Sequence, residues 1–500
     1  MAASTSTSTS LAVVREGRSE GGAEGEEKVE KYSMHVSQRY LSLTAQKLSL
    51  TRLPREVGLP EERRWEMGTP KAVLEGVLDY WEQKYDWRTQ EAHFNTSLPQ
   101  FRTTIQIPST PDTPSHSLRI HFTHKRSKHP NAIPLLFCHT WPASFVEVQK
   151  IIDALTDPQS LPSFGAGAQQ AFHVVAPSIP GFGFSDASSD EGFGVKETAA
   201  MFDGVMRRLG YEGYVAHGVG WGFSICRALA VQHPQRCMAV HTANPSFGEP
   251  TWKRSKVAYM KYRVARWTRA RISLLSFGYT PAEVQSRPAG VMEGSMNESL
   301  YAQRQLGTTL SGLYSLRPQT LSFSLCDSPV GLLAALLDII HTRAPSSSPV
   351  TSRSRSPFLS PVELEMRDSH HARTSPDPDI RSMYTWSPTE VLNWVMIQWL
   401  PGPEASLRWL RRAHLDTGPD AALSTTYCPV PLGISSFRAR NASGAASPLM
   451  FGSASWRIEW VKRHQRPAIL PAWEAPDLLV LDMRECFGTF LSQGLIRLAS

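Results

Sequence analysis

Between residues 106 and 245 short apolar runs alternate with helical stretches, and this alternation limits the fold more than any other feature of the chain. Leu118-Arg119-Ile120-His121-Phe122 alternates as a half-buried strand does. Ile133 to His139 and Phe172 to Pro177 are continuous apolar runs, as in strands covered on both faces. Gly213 to His217 and Met238 to His241 read as further strands. Helical spacing lies between them, at Val146 to Leu155, Glu197 to Leu209 and Ser224 to His233. Strands and helices in strict turn predict an α/β fold: a mostly parallel sheet with helices on both faces.

The flanks read differently. Residues 1–31 are Ser/Thr-rich and then Gly/Glu-rich, which predicts a disordered tail. Residues 32–105 predict short helices. Val73, Leu74, Val77, Leu78 and Trp81 recur at helical spacing behind Pro70, a residue suited to a first turn. Residues 246–427 are mostly helical and rich in Trp, Arg and Leu, which predicts a helical unit inserted into the α/β domain. Within it, 343–380 is rich in Ser, Pro and Arg and reads as a disordered loop or as read-through of non-coding sequence. The α/β pattern returns over 428–500, with a strand at Val430 to Ser435 and a helix at Pro476 to Phe487.

Charge and cysteine usage exclude several classes. The net charge of +7 is spread over 500 residues without a long Lys/Arg block, so nucleic acid is not an expected partner. The mean hydropathy is −0.27. No apolar run reaches the roughly 18 residues of a membrane-spanning helix. The expectation is a cytoplasmic protein with no transmembrane anchor, peripheral to membranes at most. The six cysteines form no C-x-x-C pair or Cys/His cluster and read as buried thiols rather than a metal site.

Three loops fall where the parallel strands end, the place at which open α/β sheets put their sites. They are His139-Thr140-Trp141-Pro142, Pro177 to Ser185, and Gly218-Val219-Gly220-Trp221-Gly222. The third runs from a strand into a helix with small residues two places either side of position 220. That is the spacing of a nucleophile elbow, whose sharp turn tolerates only small neighbours.

With these loops in place, the chain resembles the α/β-hydrolase epoxide hydrolases of the microsomal, fungal-like type with an N-terminal extension. The likeness rests on YDWR (85–88), LPQF (98–101), HTWP (139–142), PSIPGFGFS (177–185), DSPVG (327–331) and PAWE (471–474), all in order. It covers roughly 32–340 and 385–490. It implies an α/β-hydrolase fold with a helical lid over 246–427 and an N-terminal segment wrapped on the core. It also implies a mechanism in which an elbow Asp attacks an epoxide carbon and lid Tyr hydroxyls hold the epoxide oxygen. A carboxylate-oriented His then activates water against the ester. Backbone N–H groups at Trp141 and Trp221 take the oxyanion-hole positions. No cofactor and no metal are called for.

The chain departs from that pattern at each triad position. The nucleophile position is Gly220, the acid position is Arg440 and the histidine position is Ile469. One expected lid Tyr falls at or near Leu410, and the other is Tyr314. The stretch 438–470 lacks the expected apolar strand, which suggests a local frameshift, a misplaced splice or decay of the site. His464, the one histidine between 415 and the C-terminus, reads as a replacement base or as a surface histidine in a basic run. His139 reads as shaping its loop, His217 and His241 as satisfied core histidines, and Asp186 as a turn cap. The stripe over 394–412 reads as lid packing.

Three functions stay open on the sequence. One is hydrolysis of an apolar epoxide to a vicinal diol. The second, argued from Gly220, is a catalytically inactive protein that keeps an apolar ligand pocket or serves as a dimer partner. The third is a non-hydrolytic epoxide-binding protein that assists opening of the epoxide by an internal nucleophile. A homodimer is the one protein partner considered.

Overall fold

The computed structural model describes residues 28–109, 115–161, 169–285, 314–342, 384–418, 421–438 and 448–497. Nine strands form one sheet: β1 (Glu30–Tyr32), β2 (Gln100–Ile107), β3 (His116–Lys125), β4 (Ile133–Cys138), β5 (Phe172–Pro177), β6 (Tyr214–Gly218), β7 (Cys237–Ala243), β8 (Cys428–Arg438) and β9 (Trp456–Pro467). Their spatial order is β1-β2-β3-β5-β4-β6-β7-β8-β9. The β1–β2, β2–β3 and β3–β5 pairs are antiparallel, and every pair from β5 through β9 is parallel.

Alternate residues of the central strands feed two cores. Leu135, Phe137 and Val215 face one side, where Leu479, Met483 and Phe487 of a helix over Pro476–Ser492 cover them. Leu136, Cys138, Tyr214 and Ala216 face the other, under helices over Val195–Arg208 and Trp221–Gln232. Both faces are dry, so these strands read as unbroken apolar runs.

Helices are numbered here along the chain, short turns aside: α1 (Gln38–Ser49), α2 (Lys71–Gln83), α3 (Trp87–Ser97), α4 (Val195–Arg208), α5 (Trp221–Gln232), α6 (Lys256–Trp267), α7 (Pro318–Leu325), α8 (Pro329–Thr342), α9 (Pro388–Trp399), α10 (Glu404–Asp416) and α11 (Pro476–Ser492). Asp86 caps α3 by accepting the N–H groups of Arg88 and Thr89 at 3.1 and 3.0 Å. The N-terminal segment grips the helical insertion as well as the sheet. Tyr80 shares a hydrogen bond with Thr389 at 2.7 Å, and Tyr85 donates to Asn393 at 2.8 Å. Thr69 donates to the Ala334 carbonyl at 2.7 Å. Trp394 is buried against Trp386 and Trp473, so the start of the 394–412 stripe is packing.

Several expectations need correction. Of the expected tail, 1–27 lies outside the described residues, whereas Glu30–Tyr32 pairs with β2 as an edge strand. The loop 343–380 also lies outside them. Residues 100–105 belong to a strand, because each pairs across to β3. The helix expected over 146–155 is two short pieces, Phe145–Lys150 and Ile152–Thr156. The largest correction concerns 438–470. Trp456–Pro467 forms a twelve-residue strand in parallel register with β8. It lies at the sheet edge with an alternating exposure pattern, so a run such as Val-Lys-Arg-His-Gln-Arg needs no second apolar face. Five cysteines are buried as expected, but Cys326 is exposed. Among the described residues no single helix is long and apolar enough to cross a membrane.

Candidate active site

The turn between β6 and α5 is built from close backbone contacts. A Cβ on Gly218 would lie 2.4 Å from the Gly222 carbonyl carbon, and one on Gly222 would lie 2.0 Å from the Cys138 carbonyl oxygen. Neither position admits a side chain, so the turn can form only with glycine at both ends. At its tip Gly220 is exposed, with φ +51° and ψ −119°. That backbone strains any L-residue by about 1–3 kcal/mol, the strain characteristic of a nucleophile elbow. The elbow is therefore present in shape, and position 220 supplies no reacting atom.

What stands beside Gly220 is Thr140. A Cβ at 220 would meet the Thr140 Oγ1 at 2.7 Å. The Trp221 N–H, first of α5 and an oxyanion-hole donor by resemblance, already donates to this hydroxyl at 3.0 Å. The HTWP loop is held rigidly. His139 donates from Nδ1 to the Thr140 carbonyl at 3.1 Å and accepts the Ile179 N–H on Nε2 at 3.0 Å. One ring nitrogen donating and the other accepting fixes a neutral imidazole. Burial pushes its pKa down to about 4 in keeping with this. Glu147 lies buried beneath the loop and accepts the Thr140 N–H at 3.3 Å. Burial pushes its carboxyl up to about 8, against the pull of that hydrogen bond.

On the lid side, the Tyr314 ring meets Trp141 edge-on at 5.7 Å. Burial, and then the Asp338 charge, push its phenol up to about 12, so the hydroxyl stays protonated. Trp141, Tyr314, Leu336, Gln398 and Leu407 bound a cleft whose free space is about 10 Å³, room for at most a water molecule. Leu410 is fully buried in α10 and offers no hydroxyl. Its neighbour Trp409 donates to Thr198 at 2.9 Å and stands edge-on to Trp221. His414, near the end of α10, also meets Trp221 edge-on, with ring centroids 4.7 Å apart.

The strand ends across the sheet are tied together. Asn244, after β7, accepts the Phe437 N–H and donates to the Ala468 carbonyl, both at 2.8 Å. The N–H groups of Ile469 and Leu470 both donate to Glu474 Oε2, at 2.6 and 3.2 Å. The loop at the expected histidine position is thus a carboxylate-pinned turn with an aliphatic side chain at 469. Arg440 lies outside the described residues.

His464 is not a surface histidine. It lies on β9, stacks on Phe437 and pairs with Asp482 of α11 at 2.6 Å. Asp482 also accepts the Ser435 hydroxyl, Ser435 meets His241 at 3.1 Å, and His241 meets His217 at 2.9 Å. This chain of hydrogen bonds crosses four strands on the face that α11 covers. Its outer end is three strands from β6, roughly 14 Å at ordinary strand spacing. Burial pushes His241 down to about 4, the nearby Asp482 opposing. Asp186 does not cap a turn with its carboxylate; that group accepts the Arg119 N–H of β3 at 3.2 Å.

Sequence reasoning thus placed Gly220, Trp221, Trp141 and Tyr314 around one region, and the structure separates His464 from it. It missed the parts played by Thr140, Glu147, Asn244, His414 and Glu474. Thr140 and Glu474 lay inside the HTWP and PAWE motifs, and Glu147 stood out as a lone acid within Phe145-Val146-Glu147-Val148. Among the described residues no group of three or more His, Cys, Asp or Glu is placed to hold a metal ion.

Comparison with known proteins bears on the fold. Residues 29–148 match the epoxide hydrolase N terminus family, and 133–273 match the alpha/beta hydrolase fold family. A provisionally named epoxide hydrolase of Stigmatella aurantiaca is 38% identical over 214 residues, 43% of this chain and 45% of that protein. Epoxide hydrolase 1 of Sus scrofa is 33% identical over 292 residues, 56% of each chain. The chain therefore spans about half the length of these curated relatives. The crystal structure of juvenile hormone epoxide hydrolase from the silkworm Bombyx mori superposes with a TM-score of 0.63 at 20% identity, over 94% of this chain and 96% of that one. That likeness shows the fold. The chain therefore has the α/β-hydrolase fold, and its N-terminal region is of the kind found in epoxide hydrolases.

Proposed function

We propose that this chain takes an apolar epoxide between the carboxyl edge of its sheet and the helical insertion, which serves as a lid and parts to admit it because the closed cleft holds no more than a water, and opens the epoxide to a vicinal diol. The observation that carries this reading is the preserved elbow at Gly218–Gly222, with the Trp221 N–H at its exit, in a chain with this N-terminal region. The relatives supply the substrate class, since the Sus scrofa protein is named an epoxide hydrolase.

Gly220 changes the route. With no carboxylate at the turn, no ester forms there, and the oxygen that opens the ring comes from water. Water attacks a ring carbon and the carbon–oxygen bond breaks. A base takes the water proton, and the Tyr314 hydroxyl gives its proton to the departing oxygen. We assign the base to His414, whose ring lies against Trp221. The proton returns to Tyr314 from the imidazolium through solvent.

A second reading is binding without turnover. It is favoured by the absence of any side-chain atom at 220 and by the Thr140 hydroxyl on the Trp221 N–H. The same proposal places the chain in the cytoplasm, peripheral to membranes, alone or as a homodimer, and away from nucleic acid.

A single-turnover incubation of the purified protein with an aryl epoxide in ¹⁸O-water separates the readings. Labelled diol that is lost in His414→Gln supports water attack. Unlabelled diol would mean that a carboxylate elsewhere attacks. No diol, with saturable quenching of tryptophan fluorescence, supports binding alone. Neither diol nor binding rejects both.

A further inference from the structure

The stretch from Thr251 to Leu275 contains eight Lys and Arg residues and no Asp or Glu. All eight are exposed. The same stretch holds six of the large apolar side chains that the fold leaves in water: Trp252, Val257, Met260, Trp267, Ile272 and Leu274. Two of them are nearly bare, with Trp267 81% and Leu274 85% exposed.

Their arrangement follows from α6. Its inner face is Ala258, Tyr262 and Ala265, buried against Tyr279 and Phe451. At about 100° per residue, Val257, Met260 and Trp267 fall together on the opposite side, within roughly an 80° arc. Lys256 and Arg263 flank that arc at one edge and Lys261 at the other. The helix thus has one apolar face spent on the fold and a second, basic-rimmed one facing out. Lys256 lies 5.6 Å from the Trp252 ring and Arg263 lies 6.0 Å from the Tyr259 ring, so cation and aromatic sit at one level of the surface.

We infer that this face docks on an anionic lipid surface. An amphipathic helix with Trp and aliphatic side chains between Lys and Arg is the pattern that lies in the interfacial plane, apolar residues among the acyl chains and cations among the headgroups. A second copy of the chain is a poor occupant, because a two-fold contact would set eight cations against eight cations. Nucleic acid would use the cations and leave the Val, Met, Ile and Leu side chains unsatisfied. The inference does not depend on turnover at the elbow.

The test is flotation of the full chain with vesicles of 30% phosphatidylserine in phosphatidylcholine, beside phosphatidylcholine alone. Binding is expected to the anionic vesicles, at least tenfold tighter than to the neutral ones, and to weaken in 0.5 M salt. Trp267→Ser with Leu274→Ser should weaken it at least tenfold, and Arg263→Glu with Arg266→Glu should abolish it. All four side chains are exposed, and unchanged melting curves would show that the variants fold. Equal binding to neutral vesicles, or variants that float like the parent, would overturn the inference. So would a concentration-dependent dimer that dissolves on Trp267→Ser, which would make this face a self-interface.

Discussion

The Thr140 hydroxyl accepts the Trp221 N–H at 3.0 Å and lies 2.7 Å from where a side chain at position 220 would begin. One hydroxyl therefore fills two places: it caps the donor that would hold an oxyanion, and it closes the space of a nucleophile. Restoring a carboxylate at the elbow by Gly220→Asp alone is then obstructed. Gly220→Asp with Thr140→Ala removes the obstruction, since the next nearest atom, the Thr140 Cβ, lies at 3.6 Å. The double variant with His414→Gln should be alkylated by an aryl epoxide and keep the ester, because neither position 414 nor Ile469 then supplies an imidazole to hydrolyse it. Intact-mass spectrometry is expected to show at least tenfold more adduct than with Gly220→Asp and His414→Gln alone. Loss of the Trp221 acceptor should cost about 1 kcal/mol.

Tyr314→Phe should weaken epoxide binding. The ring keeps its edge contact with Trp141, so stability should change by less than about 0.5 kcal/mol. What is lost is one hydroxyl donor, about 1 kcal/mol or roughly fivefold in affinity. Fluorescence titration with a slowly reacting epoxide reads this directly. An unchanged affinity would take Tyr314 out of the site.

Glu147 ties stability to pH near the HTWP loop. Its carboxyl is pushed up to about 8 in the fold, whereas an unfolded Glu titrates near 4.5. Between those values the folded state holds a proton that the unfolded state has released, so stability falls as pH rises from about 4.5 to about 8. The upper bound on that loss is about 5 kcal/mol. Glu147→Gln should remove this contribution and leave a protein more stable than the parent at pH 8, measured by urea melts across that range.

Asp482 is the keystone of the hydrogen-bond chain from His464 to His217. Burial alone would raise its carboxyl, but the His464 and Ser435 hydrogen bonds outweigh burial and hold it below the ordinary value. Its contribution is therefore present above about pH 4 and is lost as pH falls through the lower folded value. Asp482→Ala leaves His464 and Ser435 without their carboxylate, while Lys462 keeps Glu485 at 2.6 Å, and should cost about 3 kcal/mol. Epoxide affinity should not change, which separates this network from the elbow.

The parts of the fold legible in the sequence were those in which one element explains its own residues. Ile133–Cys138 and Tyr214–Ala216 are apolar throughout because both faces are covered. The Gly218 and Gly222 pair marks the turn because backbone lies against backbone there. What was hidden depends on distant partners. Val461 to Arg466 looks unlike a strand until β8 is beside it and solvent is on its other edge. His464 looks like a surface residue until α11 brings Asp482 to it. Thr140 is an ordinary threonine in sequence, and only the 81-residue closure to Trp221 makes it the plug of the elbow.

The sheet ends at two strands that discourage any continuation. On one side β1 is three residues long, too short to template a neighbour. On the other, β9 carries Lys462, Arg463 and Arg466 along the rim, and another strand would have to strip water from them. A chain with so many apolar strands is thereby kept from stacking edge to edge with its own kind, whether newly made or partly unfolded. Among the described residues the sheet is thus a finite object of nine strands, and the faces left open to contact belong to helices.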